Sequence, residues 1–180
     1  MPNDDSTTVV WLDNLNLEGR VLLLANDMLG AHSRQLREQV EQLIVMNTTE
    51  RSVVGRVEAL PFASASFDAV IANDILHTQA DLKHVLGECS RILRMGATLV
   101  VWDVLLPNHK KSERYVSAFE QYRNPAYHRA YPLYRWKDAL GRTGFDLDEW
   151  RQMSRRMPLF MDRERLSSSE QQRLQALRAE

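Results

Sequence analysis

The segment Arg20-Val-Leu-Leu-Leu-Ala25 places the tightest limit on what this chain can fold into. Successive side chains of an extended strand point to opposite faces, so an unbroken apolar run needs cover on both. That is the position of a central strand in a mainly parallel sheet with helices on each side. Gly19 supplies the turn into it. The sequence then repeats the theme. Leu36, Val40 and Leu43 fall at helical spacing behind a candidate N-cap at Ser33, and Leu43-Ile-Val-Met46 reads as a second strand. Residues 52–57 form a weaker third strand and Phe67-Asp-Ala-Val-Ile-Ala72 a fourth.

Between residues 81 and 93, Leu82, Val85, Leu86, Cys89, Ile92 and Leu93 make one apolar stripe, the mark of an amphipathic helix, with Arg94 and Gly96 expected to close it. Residues 98–106 are predicted as a fifth strand. From 110 to 140 the pattern is helical, interrupted at Asn124-Pro125 and again at Pro132, because proline breaks the hydrogen-bond ladder; two or three short helices are expected. Residues 145–153 read as a further strand. Ser167-Ser-Ser-Glu170 has the spacing of a capping box, which starts a last helix toward Glu180. Strands alternating with helices define an α/β class.

Length and composition narrow the function. The chain has 180 residues with 44% hydrophobic and 26% charged, which suits one folded domain, 1–180, with a helical cap over about 107–140. Lys and Arg total 23 against 24 Asp and Glu, so the molecule has no overall field to hold a nucleic-acid backbone or an anionic membrane. A single cysteine forms no intrachain disulfide, and the opening MPNDDSTT lacks the basic and apolar regions of a secretion signal, so a cytoplasmic location is expected. The apolar stretch LVVWDVLL is interrupted by Asp103 and is far short of a membrane span. The histidines are scattered and Cys89 has no CxxC companion, so no metal site is expected. Cys89 sits on the apolar stripe, as a core residue would.

Several short motifs occur in a fixed order: Val57-Glu-Ala-Leu-Pro-Phe62, Ser66-Phe-Asp-Ala-Val70, Leu76-His77, and Arg91-Ile-Leu-Arg-Met-Gly96 followed by Thr98-Leu-Val-Val101. With Arg123-Asn-Pro125, Arg129, Trp136, Leu140 and Thr143-Gly-Phe145 further on, the sequence resembles the class I methyltransferases, in their type 11, UbiE-like branch. The resemblance covers about residues 20–150 and implies a Rossmann-like sheet and S-adenosylmethionine (SAM) as cofactor. It also exposes departures. The family ends its first strand with an acid and a Gly-x-Gly-x-Gly turn, because only glycine lets the backbone approach the cofactor so closely. Here the acid falls on Leu23 and the glycines on Ala25, Asp27 and Leu29. Asn47 stands where an acid grips the ribose, and Val57, beside Glu58, where an acid contacts the adenine. With each lost hydrogen bond worth ~1 kcal/mol, and more for charged partners, three or more such defects weaken binding by ~3 to 5 orders of magnitude unless something compensates.

Two functions follow from the resemblance. One is a methyltransferase-fold protein that has lost SAM and works by binding a small molecule or a protein partner. The other is an active SAM-dependent methyltransferase of a small molecule, with a first loop rebuilt from Ala25, Asn26, Asp27 and Gly30 and with Asn47 replacing the ribose acid. A third keeps the fold but performs non-methylating chemistry. About 19 residues precede the first strand, where the family carries helices over the cofactor, so an open apolar edge and a homodimer through it are expected.

Candidate chemistry gathers after the fourth strand, at the carboxyl edge where ligands of open α/β sheets bind. His77 suits a general base and Asp74 an orienting group, with Asn73 at the mouth; the competing role for His77 is to satisfy a loop carbonyl. All five tyrosines fall in residues 115–134, with Phe119, His128 and Trp136 close by. Tyr115, Tyr122, Tyr127 and Tyr131 are therefore candidates to line a substrate cleft, or else to fill the cap's own core. The interleaved Lys110, Lys111, Arg114, Arg123, Arg129, Arg135 and Lys137 are read as a solvated face, as are Arg151, Arg155 and Arg156 in the basic tail.

Overall fold

A computed structural model describes residues 15, 17–25, 36–47 and 53–152. Five strands form one sheet: β1 (Arg20–Ala25), β2 (Gln42–Asn47), β3 (Val53–Val54), β4 (Phe67–Asn73) and β5 (Leu93–Trp102), in the spatial order β3-β2-β1-β4-β5. All pairings are parallel. β1 occupies the centre, with Leu23 between Val45 and Ile71. Its alternation explains the apolar run. Leu22 and Leu24 join Met46, Val70 and Ala72 in one core cluster, while Val21, Leu23 and Ala25 join Leu36, Val40, Ala69 and Ile71 in a second on the opposite face. This is the Rossmann-like methyltransferase fold expected from the sequence. Among the described residues no helix is long and apolar enough to cross a membrane.

Helix α1 (Leu82–Ile92) covers the first cluster with the predicted stripe, and the Asp81 carboxylate caps it by accepting the His84 N–H at 3.1 Å. Its end differs from expectation. Arg94 and Gly96 do not close the helix; the chain passes directly from Ile92 into β5 at Leu93. The reason lies in the orphan carbonyls of the last turn. Those of Arg91 and Ile92 accept the N–H groups of Ala65 and Ser66, at 3.0 and 2.8 Å, from the chain entering β4.

The fifth strand is also displaced, ending at Trp102 instead of running to 106. Asp103 turns its carboxylate inward and accepts the Val104 N–H at 2.7 Å, which breaks the extended run. Leu105–Leu106 then forms β6, paired in parallel with β7 (Tyr131–Pro132). Between them lies α2 (Lys110–Arg123), and α3 (Leu133–Arg142) follows. The two helices break at Asn124-Pro125 and Pro132, as the prolines predict. α3 packs on α1, where Trp136 is buried in the first cluster with Ala139 and Leu140 at its margin.

The third strand is shorter than predicted, since Arg56 and Ala59 pair instead in an isolated antiparallel bridge. Residues 145–152 form no strand. Phe145 packs on the first cluster with its N–H on the Leu140 carbonyl at 3.0 Å, and the exposed Asp146, Asp148 and Glu149 that follow gain nothing from a sheet. The Ser33 cap, residue 153 and the helix predicted from Ser167 lie outside the described residues.

Candidate functional site

Three turns converge at the carboxyl edge of the sheet. β4 ends at Asn73, level with Ala25 of β1 and Trp102 of β5. Asp74 follows with φ +51°, a left-handed conformation uncommon for a residue with a side chain, and its N–H is held by the Trp102 carbonyl at 2.7 Å. A single 3₁₀ turn, Leu76–Thr78, then carries His77 beneath the surface. The His77 side chain is fully buried and that of Asp103 nearly so, whereas Asp74 is 44% exposed and forms the outer face of the group.

Asp103 is the hub. Its Oδ1 lies 2.7 Å from His77 Nδ1, and its Oδ2 accepts the N–H groups of Leu76 and His77 at 2.7 and 3.3 Å. With the Val104 N–H, one carboxylate fixes the end of β5 against the turn after β4. On the far side of the ring, Nε2 faces the Asn124 amide at 3.1 Å, while the His77 carbonyl accepts from His128 and Arg129 at 2.9 Å each. Tyr127 packs its ring 5.8 Å from the imidazole.

Burial opposes charge on His77, yet the hydrogen bond and charge of Asp103, with Asp74 and Glu120 behind, outweigh it and raise the pKa above the ordinary value. For Asp74, by contrast, burial is the main cause of a raised pKa, partly offset by His77. Asp74, His77 and Asp103 offer potential metal-ligand atoms within 4.8 Å of one another, a grouping the scattered histidines did not suggest. Hydrogen bonding already accounts for it: Nδ1 is engaged by Asp103, and Asp103 by three backbone N–H groups.

Of the sequence candidates, Asp74, His77 and Tyr127 are thus brought together, with Asn73 adjacent at the strand end. The His77 ring meets a carboxylate and an amide, not a loop carbonyl. Tyr131 turns elsewhere, edge-on to Trp136 at 6.4 Å with Arg129 over its face. Tyr115 and Tyr122 are half-buried along α2. Asp103, Asn124 and Glu120 were not singled out for the site. A buried carboxylate inside an apolar run was the available signal for Asp103, since such a group must find partners.

At the cofactor positions, Ala25 is buried in the second cluster with Leu23, and Val57 is buried in the first beside Met46 and Leu60. Met46 also packs toward Gly55, where an added Cβ would come within 3.1 Å of its sulfur. Glu58 is directed to Arg56 at 3.7 Å, and its carbonyl meets His84 Nε2 at 2.8 Å. Asn47 ends β2 in register with Ala25. Asn26, Asp27 and Gly30 lie outside the described residues. The neighbouring Leu-Pro-Phe motif is held structurally: Arg91 donates to the Leu60 and Phe62 carbonyls and to Glu88, which accepts the Leu60 N–H at 2.9 Å.

Sheet order, motif positions and the carboxyl-edge site together define a class I methyltransferase fold. Residues 21–101 match the family model described as a methyltransferase domain. It is 31% identical over 119 residues to the uncharacterised protein YafE of Escherichia coli, covering 66% of this chain and 52% of that one. It is 28% identical to malonyl-[acyl-carrier protein] O-methyltransferase 1 of Coxiella burnetii over 49% of this chain and 35% of that one. The chain thus spans about half or less of these relatives. A solved structure from Bacillus halodurans, described as a methyltransferase by inference, has a TM-score of 0.81 at 21% identity, over 96% of this chain and 81% of its own.

Proposed function

We propose that this chain is a methyltransferase-fold protein without ordinary SAM affinity, acting through a small molecule or protein partner at the carboxyl edge of its sheet. The observation that carries this reading is the fate of the cofactor acids: Leu23 and Val57, at 1% and 3% exposure, are spent on the hydrophobic core. Leu23, Ala25 and Val57 offer only hydrocarbon side chains where the family has the first-strand acid, the glycine turn against the methionine part of the cofactor and the acid at the adenine. These residues do not fit that ligand. What is retained is the polar group at the edge, with Asp74 as its accessible carboxylate.

The competing reading, an active methyltransferase with a rebuilt first turn, draws on the activity named for the Coxiella relative. Calorimetric titration of ligand-free protein with SAM and S-adenosylhomocysteine separates the two. No heat at millimolar ligand is expected. Binding at micromolar concentration by either ligand overturns the proposal and directs the search to methyl acceptors.

A further inference from the structure

The Asn124 amide decides which nitrogen of His77 carries the proton. Its Oδ1 accepts the Ala126 N–H at 3.0 Å, so its Nδ2 is the atom facing His77 Nε2 at 3.1 Å. Nδ2 is a donor, so Nε2 must present its lone pair, and the ring proton sits on Nδ1, donated to Asp103. The turn that leaves α2 is therefore fastened to one residue twice, by Asn124 on the ring and by the His128 and Arg129 N–H groups on the His77 carbonyl.

A second proton has one place to go. It adds to Nε2 and meets the Asn124 NH₂, donor against donor. Relief requires the amide to turn its Oδ1 to the ring, giving up Ala126, or to leave the ring altogether. The charged and titratable groups around the imidazole are Asp74 and Asp103 from the sheet edge, Glu120 and Arg123 from α2, and Tyr127 from the turn. Glu120 and Arg123 pair with each other at 2.7 Å, which leaves two carboxylates to draw the proton in.

We propose that His77 is a proton-operated latch, in which protonation of Nε2 releases the Asn124–Ala126 turn and loosens residues 124–131 over the Asp74 edge, and deprotonation closes it. The inference concerns the cap and holds whether or not SAM binds.

The test is a pH titration of the full chain, followed by ¹⁵N spectra of the histidine rings and by hydrogen exchange corrected for the intrinsic pH effect. The Nδ1–H tautomer is expected on the alkaline side. As Nε2 gains its proton, amides 126–131 should lose protection roughly three- to tenfold, the equilibrium worth of one hydrogen bond. An Nε2–H neutral tautomer, or a ring that titrates with these amides unmoved, overturns the latch. Asn124→Asp gives a second measurement, because a carboxylate accepts from Ala126 and from Nε2–H at once. Its turn should stay protected across the range, and a pH response like that of wild type would also overturn the proposal. The wild-type titration decides alone should that variant not fold.

Discussion

His77 Nδ1 and Asp103 Oδ1 meet at 2.7 Å although 26 residues separate them, and this contact ties the end of β5 to the turn leaving β4. Asp103 also serves three backbone N–H groups, so its loss strands four donors at once. Removing one partner of a buried pair typically costs about 3–5 kcal/mol. Asp103→Ala is expected to fall in that range by urea denaturation, and a loss below about 1 kcal/mol would show that water replaces the carboxylate.

The same pair sets a pH dependence. The folded-state pKa of His77 is raised, so its stabilising contribution is complete below the unfolded-chain value of about 6.5 and fades as the pH climbs through the higher folded value. Asp74, whose pKa is also raised, by burial first, has the same sign: its contribution is present below the unfolded value and is lost as the pH climbs through the folded one. Unfolding free energy should decline as the pH rises from about 6.5 through the higher folded-state value in the wild type and lose that slope in Asp103→Ala. A flat wild-type profile would count against it. Global stability thus rises with protonation while the 124–131 segment loosens, two effects read by different measurements.

Gly19 enters β1 with φ +72°, and a Cβ there would overlap the Asp68 carboxylate. That carboxylate accepts the Arg20 N–H at 2.8 Å and pairs with Arg94, and these partners hold its pKa below the ordinary carboxylate value. Left-handed backbone alone costs a side-chain-bearing residue about 1–2 kcal/mol. Gly19→Ala should lose about 2 kcal/mol or more, and Asp68→Ala should recover part of it in a double-mutant cycle. Full additivity of the two changes would show that overlap with Asp68 is not the cause.

Cys89 is buried on α1, and burial pushes its thiol up to about 12. The thiolate is the reactive species. Ellman's reagent should therefore modify Cys89 only at the rate of unfolding, with full reaction in denaturant. Rapid labelling of native protein would place the thiol at the surface.

What sequence could reveal was set by periodicity. The β1 run and the α1 stripe of Leu82, Val85, Leu86, Cys89 and Ile92 each declare a face, so strand, helix and both core clusters were legible. Contacts without a period were not. Asp103 was visible only as an interruption in an apolar stretch, and nothing local pairs it with His77 or brings Asn124 to the same ring. Strand ends failed for a related reason: Trp102 terminates β5 because Asp103 finds better partners off the sheet, a decision made by tertiary structure. Asn73, Asp74 and His77 could be placed at the carboxyl edge because the end of β4 is a position that the order of strands identifies.

The short ladder of β6 with β7 closes the base of the segment that carries α2. A loop whose ends are already tied together adds only slowly growing closure entropy as it lengthens. Between residues 107 and 123, ahead of the contacts that Asn124, His128 and Arg129 make with His77, the segment can therefore change length at little cost in closure entropy.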